Sequence, residues 1–216
     1  MSDGRAGADG YGGWVLTWYD LFVLGVVCPV VWRCPRREML AAYDRNVGAR
    51  HLDLGPGTGY FLARCRYPVD VPELALVDLN DSVLTRSARR VTRYSPTRFR
   101  RDVFEPLDLG ERRFDSVGMN FLLHCLPGGM AAKGRVFDHV LPYLEPGGRI
   151  FGSTVLAEGV RHGPLAARAL ESLNSDGTMH NQDDSLDRLD KVLAARFGDY
   201  RLRTRGSVCF FEVTVA

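Results

Sequence analysis

The 216-residue chain predicts an α/β domain built from parallel βαβ units. Three observations carry that reading. Short apolar runs of strand length recur between amphipathic stretches with helical spacing. The first such run, 51–54, breaks into Gly55-Pro56-Gly57-Thr58-Gly59, the composition of a tight turn between a strand and a helix. The second, 74–78, ends on a carboxylate, Asp78, after the fully apolar Leu74 to Val77 that a strand buried on both faces requires.

Taken in order, residues 1–13 are rich in Gly, Asp and Ala and read as a disordered tail, leaving 14–216 as a single domain. Residues 14–32 are almost wholly apolar. Asp20 lies inside that run and Gly25 and Pro29 interrupt it, so it reads as a helical cover over a binding cleft rather than a bilayer span. Pro35 opens a helix carrying Met39, Leu40 and Tyr43, and Gly48 ends it. After the first strand and the glycine turn, a helix is expected over 58–66. Asn80 or Asp81 caps a helix over 82–92, and Pro96 separates it from a short strand, 97–101. A fourth strand follows at 114–121. An amphipathic helix over 130–143 turns Val136, Phe137, Val140 and Leu141 inward. Residues 145–148 form a turn before the fifth strand, 149–155. Helices at 164–173 and 185–197 flank a polar loop, 174–184, and a hairpin of 199–205 with 207–215 closes the chain.

Ligands of parallel sheets bind beyond the carboxyl ends of the strands. Asp53, the glycine turn, Asp78, Asp102 and Asn120 all fall at that edge, an agreement stronger than any single motif. Glycines there let a ligand lie against bare backbone, and helix N-terminal amides favour an anionic or polar group. Tyr60 stands where a dinucleotide fingerprint would run on to its third glycine, which points away from NAD and toward another adenosine compound. Asp78, nineteen residues past Gly59, sits where a ribose diol would lie.

The spacing Asp53-x-Gly55-x-Gly57-x-Gly59 resembles the first motif of the class I S-adenosylmethionine (SAM)-dependent methyltransferases. Val77-Asp78-Leu79-Asn80, Phe114-Asp115-Ser116-Val117 and Leu144-Glu145-Pro146-Gly147-Gly148 match further parts of that family, so the resemblance spans the chain from Tyr19 onward. It implies a Rossmann-like, seven-stranded mixed sheet of order 3-2-1-4-5-7-6 with helices on both faces, SAM as cofactor and S-adenosylhomocysteine (SAH) as product. It further implies that Gly55, Gly57, Thr58 and Gly59 approach the cofactor and that Asp53 orders its amino-acid moiety. Asp78 and Leu79 would meet the ribose, Asp102 and Val103 the adenine, and Asn120 and Phe121 the methionine portion and the methyl. More narrowly, residues 120–128 and 136–139 resemble small bacterial polyketide-related methyltransferases, and some similar enzymes methylate C3 of indole in tryptophan-derived cyclic dipeptides. The acceptor implied is a small aromatic or heteroaromatic natural product, with O- or N-methylation of another metabolite as the alternative.

Methyl transfer from a sulfonium needs alignment in a dry cleft, and a neutral acceptor needs a base. His124, just past the fourth strand, is the candidate base or substrate-orienting group; its plainer reading is a histidine hydrogen-bonded within its loop. Tyr19 in the apolar cover is a candidate to close over the cofactor or polarise the substrate; its plainer reading is a core aromatic in an apolar helix. Asn181 and Asp184, in the polar loop, are candidate substrate contacts or parts of a solvated loop, Asp183 or Asp184 then capping the next helix.

A net charge of +2 demands no polyanionic partner. Seven arginines fall between Arg86 and Arg101 with few aromatics among them, which reads as a solvated face; an RNA-modifying enzyme is the rival reading, and a non-catalytic adenosine-binding protein another. The five cysteines form no C-x-x-C pair, fitting a reducing cytoplasm and no metal site. No membrane partner is expected, and the oligomeric state stays open, a homodimer included.

Overall fold

The computed structural model describes residues 20–216, with side chains from residue 24. Tyr19 and the tail expected at 1–13 lie outside the described residues. The strands are β1 (Arg50–Leu54), β2 (Glu73–Asp78), β3 (Thr97–Arg100), β4 (Phe114–Asn120), β5 (Leu144–Val155), β6 (Asp199–Arg205) and β7 (Val208–Thr214). They form one seven-stranded sheet, β3-β2-β1-β4-β5-β7-β6. The first five pair in parallel, and β7 runs antiparallel to both β5 and β6. This is the strand order that the motifs implied.

The sheet's pleat divides its side chains between two apolar layers. Leu52, Leu54, Ala75 and Val77 point to one side, where α4 (Arg135–Val140) and α6 (Leu186–Ala194) supply Val136, Phe137, Val140, Leu189 and Leu193. Leu74 and Leu76 point to the other, against Met39 and Tyr43 of α1 (Arg36–Asn46) and Leu84 of α2 (Asp81–Arg90). His51 and Asp53 alternate with Leu52 and Leu54 and so face the α1 side. Each large aliphatic side chain so buried contributes about 1.5–3 kcal/mol.

Several local expectations change. No regular helix follows the glycine turn. Its amides make mixed bonds, Ala63 N–H to Gly59 O and Arg64 N–H to Phe61 O. The Leu62 carbonyl, which would accept the next helical bond, is taken by the Tyr67 hydroxyl at 3.0 Å, and the Arg66 amide turns instead to Asp44 Oδ1 at 2.8 Å. The cover does not break at Pro29: residues Asp20–Val31 wind as a π-helix that contains the proline and buries Leu24 and Cys28, and Trp32 just past its end is buried too. The helix expected over 130–143 divides into α3 (Met130–Lys133), α4 and a 3₁₀ turn. A Cβ at Gly134, between α3 and α4, would meet Val192 of α6 at 2.8 Å, so glycine is what lets the two helices pack there. Residues 145–148 belong to β5 as an irregularity, the register jumping from Phe114↔Leu144 to Ser116↔Arg149 around Gly147, whose φ is +76°. α5 (Pro164–Ser175) runs slightly longer than expected, and α6 is capped by Ser185, not Asp183 or Asp184.

Candidate functional site

Four strand ends build the site. At β1 the chain turns through Gly55, Gly57 and Gly59, with φ of +65°, +56° and +72°. The three do different things. A Cβ on Gly59 would lie 3.1 Å from the backbone of Ser87 in α2, and one on Gly55 would lie 3.0 Å from Leu122, so both are needed for close packing. A Cβ on Gly57 would meet nothing within 4 Å. Gly57 alone of the three presents a bare backbone to open space, as a ligand-facing glycine must. Thr58 is buried, its hydroxyl accepting from Arg90 of α2 at 2.9 Å. Arg93 donates to Ala63 O, so two members of the arginine cluster brace this turn rather than line a groove.

Asp53 is 1% exposed. Its Oδ2 accepts from Tyr43 Oη at 2.8 Å and lies 3.2 Å from His51 Nε2, while Oδ1 has no partner among the described residues. A buried carboxylate oxygen left unmatched is costly and calls for a donor. The ammonium of an amino-acid moiety is such a donor. At the end of β2, Asp78 Oδ1 accepts the Asn80 amide at 2.8 Å, and Asn80 in turn caps α2. Burial, above all, pushes the Asp78 acid up to about 6, with the Asp53 charge adding to it. Leu79 beside it is half exposed. Past β3, Asp102 is exposed; its Oδ1 accepts the Phe104 amide at 2.9 Å, which leaves Oδ2 for an outside donor. Val103 is buried, and its carbonyl accepts from His139 Nδ1.

After β4, Asn120 Oδ1 accepts the Ser153 hydroxyl and Phe121 adopts φ +57°. A bulky residue in the left-handed region costs about 1–3 kcal/mol and is found where the surrounding structure holds it for a purpose. Phe121 is held by its amide bond to Ser153 O at 2.8 Å and by an edge contact with the His124 ring. The carboxylates, the bare glycine and this strained aromatic therefore share one edge, and together they suit an adenosine compound with an amino-acid tail.

His124 departs from the role expected of a base. It is 4% exposed, and its Nδ1 accepts the Val155 amide at 3.2 Å, with Thr154 Oγ1 at 3.4 Å. A backbone amide can only donate, so the proton sits on Nε2 and the ring's basic lone pair is occupied. Burial, and then the Lys133 charge, push the ring's pKa down to about 3. His124 is a neutral donor through Nε2, not a proton acceptor near neutrality.

Asn181 and Asp184 are also corrected. Both are fully buried. Asn181 donates to Val155 O at 2.8 Å and accepts from Asn174 Nδ2 at 2.9 Å, which ties its loop to β5. Asp184 Oδ2 meets Lys133 Nζ at 2.6 Å in a pair with no exposed side-chain surface, and Lys133 also donates to His180 O. They hold the segment after β5 in place: every polar side-chain atom of Asn181 is bonded within the protein, and Asp184 Oδ1, although without a partner among the described residues, is buried away from any substrate surface. Sequence reasoning missed His51 and Lys133. His51 shares the face of Asp53 by the period of two in a strand, a usable signal; the partner of Lys133 is 51 residues away and left none. Among the described residues there is no cluster able to hold a metal ion and no helix long and apolar enough to cross a membrane.

A family model described as "Methyltransferase domain" matches residues 52–150. The chain is 43% identical over 209 residues to demethylluteothin O-methyltransferase of Streptomyces thioluteus, covering 95% of this chain and 88% of that protein. It is 37% identical to the physcion biosynthesis cluster O-methyltransferase of Aspergillus chevalieri, covering 92% of this chain and 90% of that one. In fold it is similar to N-methyltransferase NodS from Bradyrhizobium japonicum in complex with SAH, at TM-score 0.58 and 14% identity, covering 83% and 85% of the two chains.

Proposed function

Because the chain belongs to the class I SAM-dependent methyltransferases, we propose that it methylates a hydroxyl oxygen of a small aromatic or heteroaromatic natural product. The observation that carries this reading is the pair of O-methyltransferases at 43% and 37% identity, each aligned over more than nine-tenths of this chain. Neither name speaks for C3 of an indole, and that expectation is not retained.

When bound, SAM supplies a sulfonium-activated methyl group. The protein's part is to bind, align and keep water out. In this reading the Gly57 backbone and Thr58 turn lie along the cofactor, with Gly55 and Gly59 shaping the loop. Asp53 takes the ammonium, Asp78 and Leu79 border the ribose, Asp102 and Val103 the adenine, and Asn120 and Phe121 the methionine portion. His124 donates its Nε2–H toward the acceptor oxygen. With its other nitrogen held by Val155, it does not generate the oxyanion, which favours acceptors acidic enough to ionise by themselves, such as electron-poor phenols or enols. Tyr19, which lies outside the described residues, is assigned in this reading to closing over the cofactor or polarising the substrate. The unpaired state of all five cysteines supports a reducing cytoplasm.

The test is turnover with carbon-13-methyl SAM over a panel of phenols, enols, amines and indoles. An O-methyl carbon resonance in the product supports the reading, and an N- or C-methyl resonance refutes it. SAH binding with no turnover on any acceptor favours the non-catalytic adenosine-binding alternative.

A further inference from the structure

Behind the cofactor edge lies a hydrogen-bonded circuit whose four side chains, Tyr43, His51, Asp53 and Ser116, are all buried. The Gly48 amide donates to Ser116 Oγ at 2.7 Å. Ser116 Oγ lies 2.8 Å from His51 Nδ1, His51 Nε2 lies 3.2 Å from Asp53 Oδ2, and Tyr43 Oη donates to the same oxygen at 2.8 Å. Directions follow from donor counts. The Gly48 amide can only donate, so Ser116 accepts there, and the acceptor in reach of its own hydrogen is His51 Nδ1. His51 therefore carries its proton on Nε2 and gives it to Asp53. Tyr43 sits on α1 and Gly48 just past its end, so the circuit leaves that helix and returns to it.

The surroundings keep this geometry single-valued. Tyr43 stacks on Phe61 and meets Phe151 edge-on, with ring centroids 5.4 and 5.0 Å apart, and His51 stacks on Phe151. Gly118, paired with Asp53 across β1 and β4, leaves the room: a Cβ there would lie 2.8 Å from Asp53 Oδ2 and 3.1 Å from His51 Cε1. Burial and the adjacent Asp53 charge raise the Tyr43 phenol well above its usual range, so it stays a donor. In such a dry site each bond to the carboxylate is strong.

We propose that Tyr43 and His51 are positioning residues for cofactor binding: by occupying Oδ2 of Asp53 from the interior, they aim its unpartnered Oδ1 at the ammonium of the SAM amino-acid moiety. This rests on the assignment of Asp53 to that moiety. Neither side chain touches the cofactor. Without them the carboxylate is free to turn about its side-chain torsions, and its free oxygen is no longer held toward the cofactor.

The test compares two probes by calorimetric titration: SAH, which has the amino-acid moiety, and methylthioadenosine, which lacks it. Tyr43→Phe and His51→Leu should each bind SAH about tenfold more weakly than the wild type, with methylthioadenosine affinity within about twofold of it. His51→Gln, which places an amide N–H near the position of Nε2, should regain most of the SAH affinity. Equal losses for both probes would make the circuit merely structural, and unchanged SAH affinity in Tyr43→Phe would overturn the proposal. If His51→Leu does not fold, the Tyr43→Phe result decides. Wild-type protein that fails to bind SAH would instead unseat the cofactor assignment itself.

Discussion

Replacing Asp78 by Asn should make the free protein more stable and the cofactor complex weaker. In the free state the Asp78 acid is pushed up to about 6 by burial, from 3.8. That shift of about two units corresponds to at most about 3 kcal/mol disfavouring the charged form, and partial solvent contact at the strand end reduces it to about 1–2 kcal/mol. A carboxylate raised in the folded state contributes stability that is fully present below pH 3.8 and lost as pH rises through about 6. Asparagine keeps the acceptor for the Asn80 amide and avoids that loss. Thermal melts should therefore show Asp78→Asn above wild type by about 2–6 °C at pH 8, the two converging below pH 4. Calorimetry should show SAH bound about 10- to 100-fold more weakly, since the proposed ribose role of Asp78 requires a charged acceptor that asparagine lacks. Wild-type affinity should itself fall as pH drops below about 6. Unchanged SAH affinity, or an Asp78→Asn protein no more stable at pH 8, would refute the reasoning.

Three further outcomes follow from the site. His124→Asn preserves an acceptor for the Val155 amide but removes the Nε2–H, and steady-state kinetics should show kcat about tenfold lower with SAH affinity unchanged; a kcat/KM profile with a histidine limb near pH 6.5 would contradict the neutral assignment. Asp184→Leu should cost about 3–5 kcal/mol in urea melts by stranding the Lys133 ammonium, whereas the double variant with Lys133→Met should return to within about 1 kcal/mol of wild type or exceed it. Gly57→Ala and Gly59→Ala both meet a left-handed backbone, about 1–2 kcal/mol. Only Gly59→Ala also presses on Ser87, so it should melt lower, while Gly57→Ala should lose more cofactor affinity relative to its melting point.

The sheet was legible because its information is local. Each buried run is apolar by itself, and glycines, Asp78 and Asn80 mark strand ends within a few residues. What the chain hid is long-range. The helix expected after the glycine turn fails because Tyr67 and Asp44, from opposite sides in sequence, take the groups that would extend it. The polar loop at 174–184 reads as solvated only until Lys133 and Val155 arrive to bury Asp184 and Asn181. His124 has the composition of a base, but the Val155 amide, on the neighbouring strand β5, removes that role. Site positions set by the strand edge were readable, whereas those whose chemistry depends on a distant partner were not.

The central claim is that the carboxyl edge of strands β1 to β4 binds the SAM scaffold. Titration of the folded wild-type protein with SAH tests it most directly. One site of micromolar affinity, about −8 kcal/mol, weakened by Asp78→Asn, is the predicted result. A protein with a cooperative melt that binds neither SAH nor SAM at millimolar concentration would contradict it.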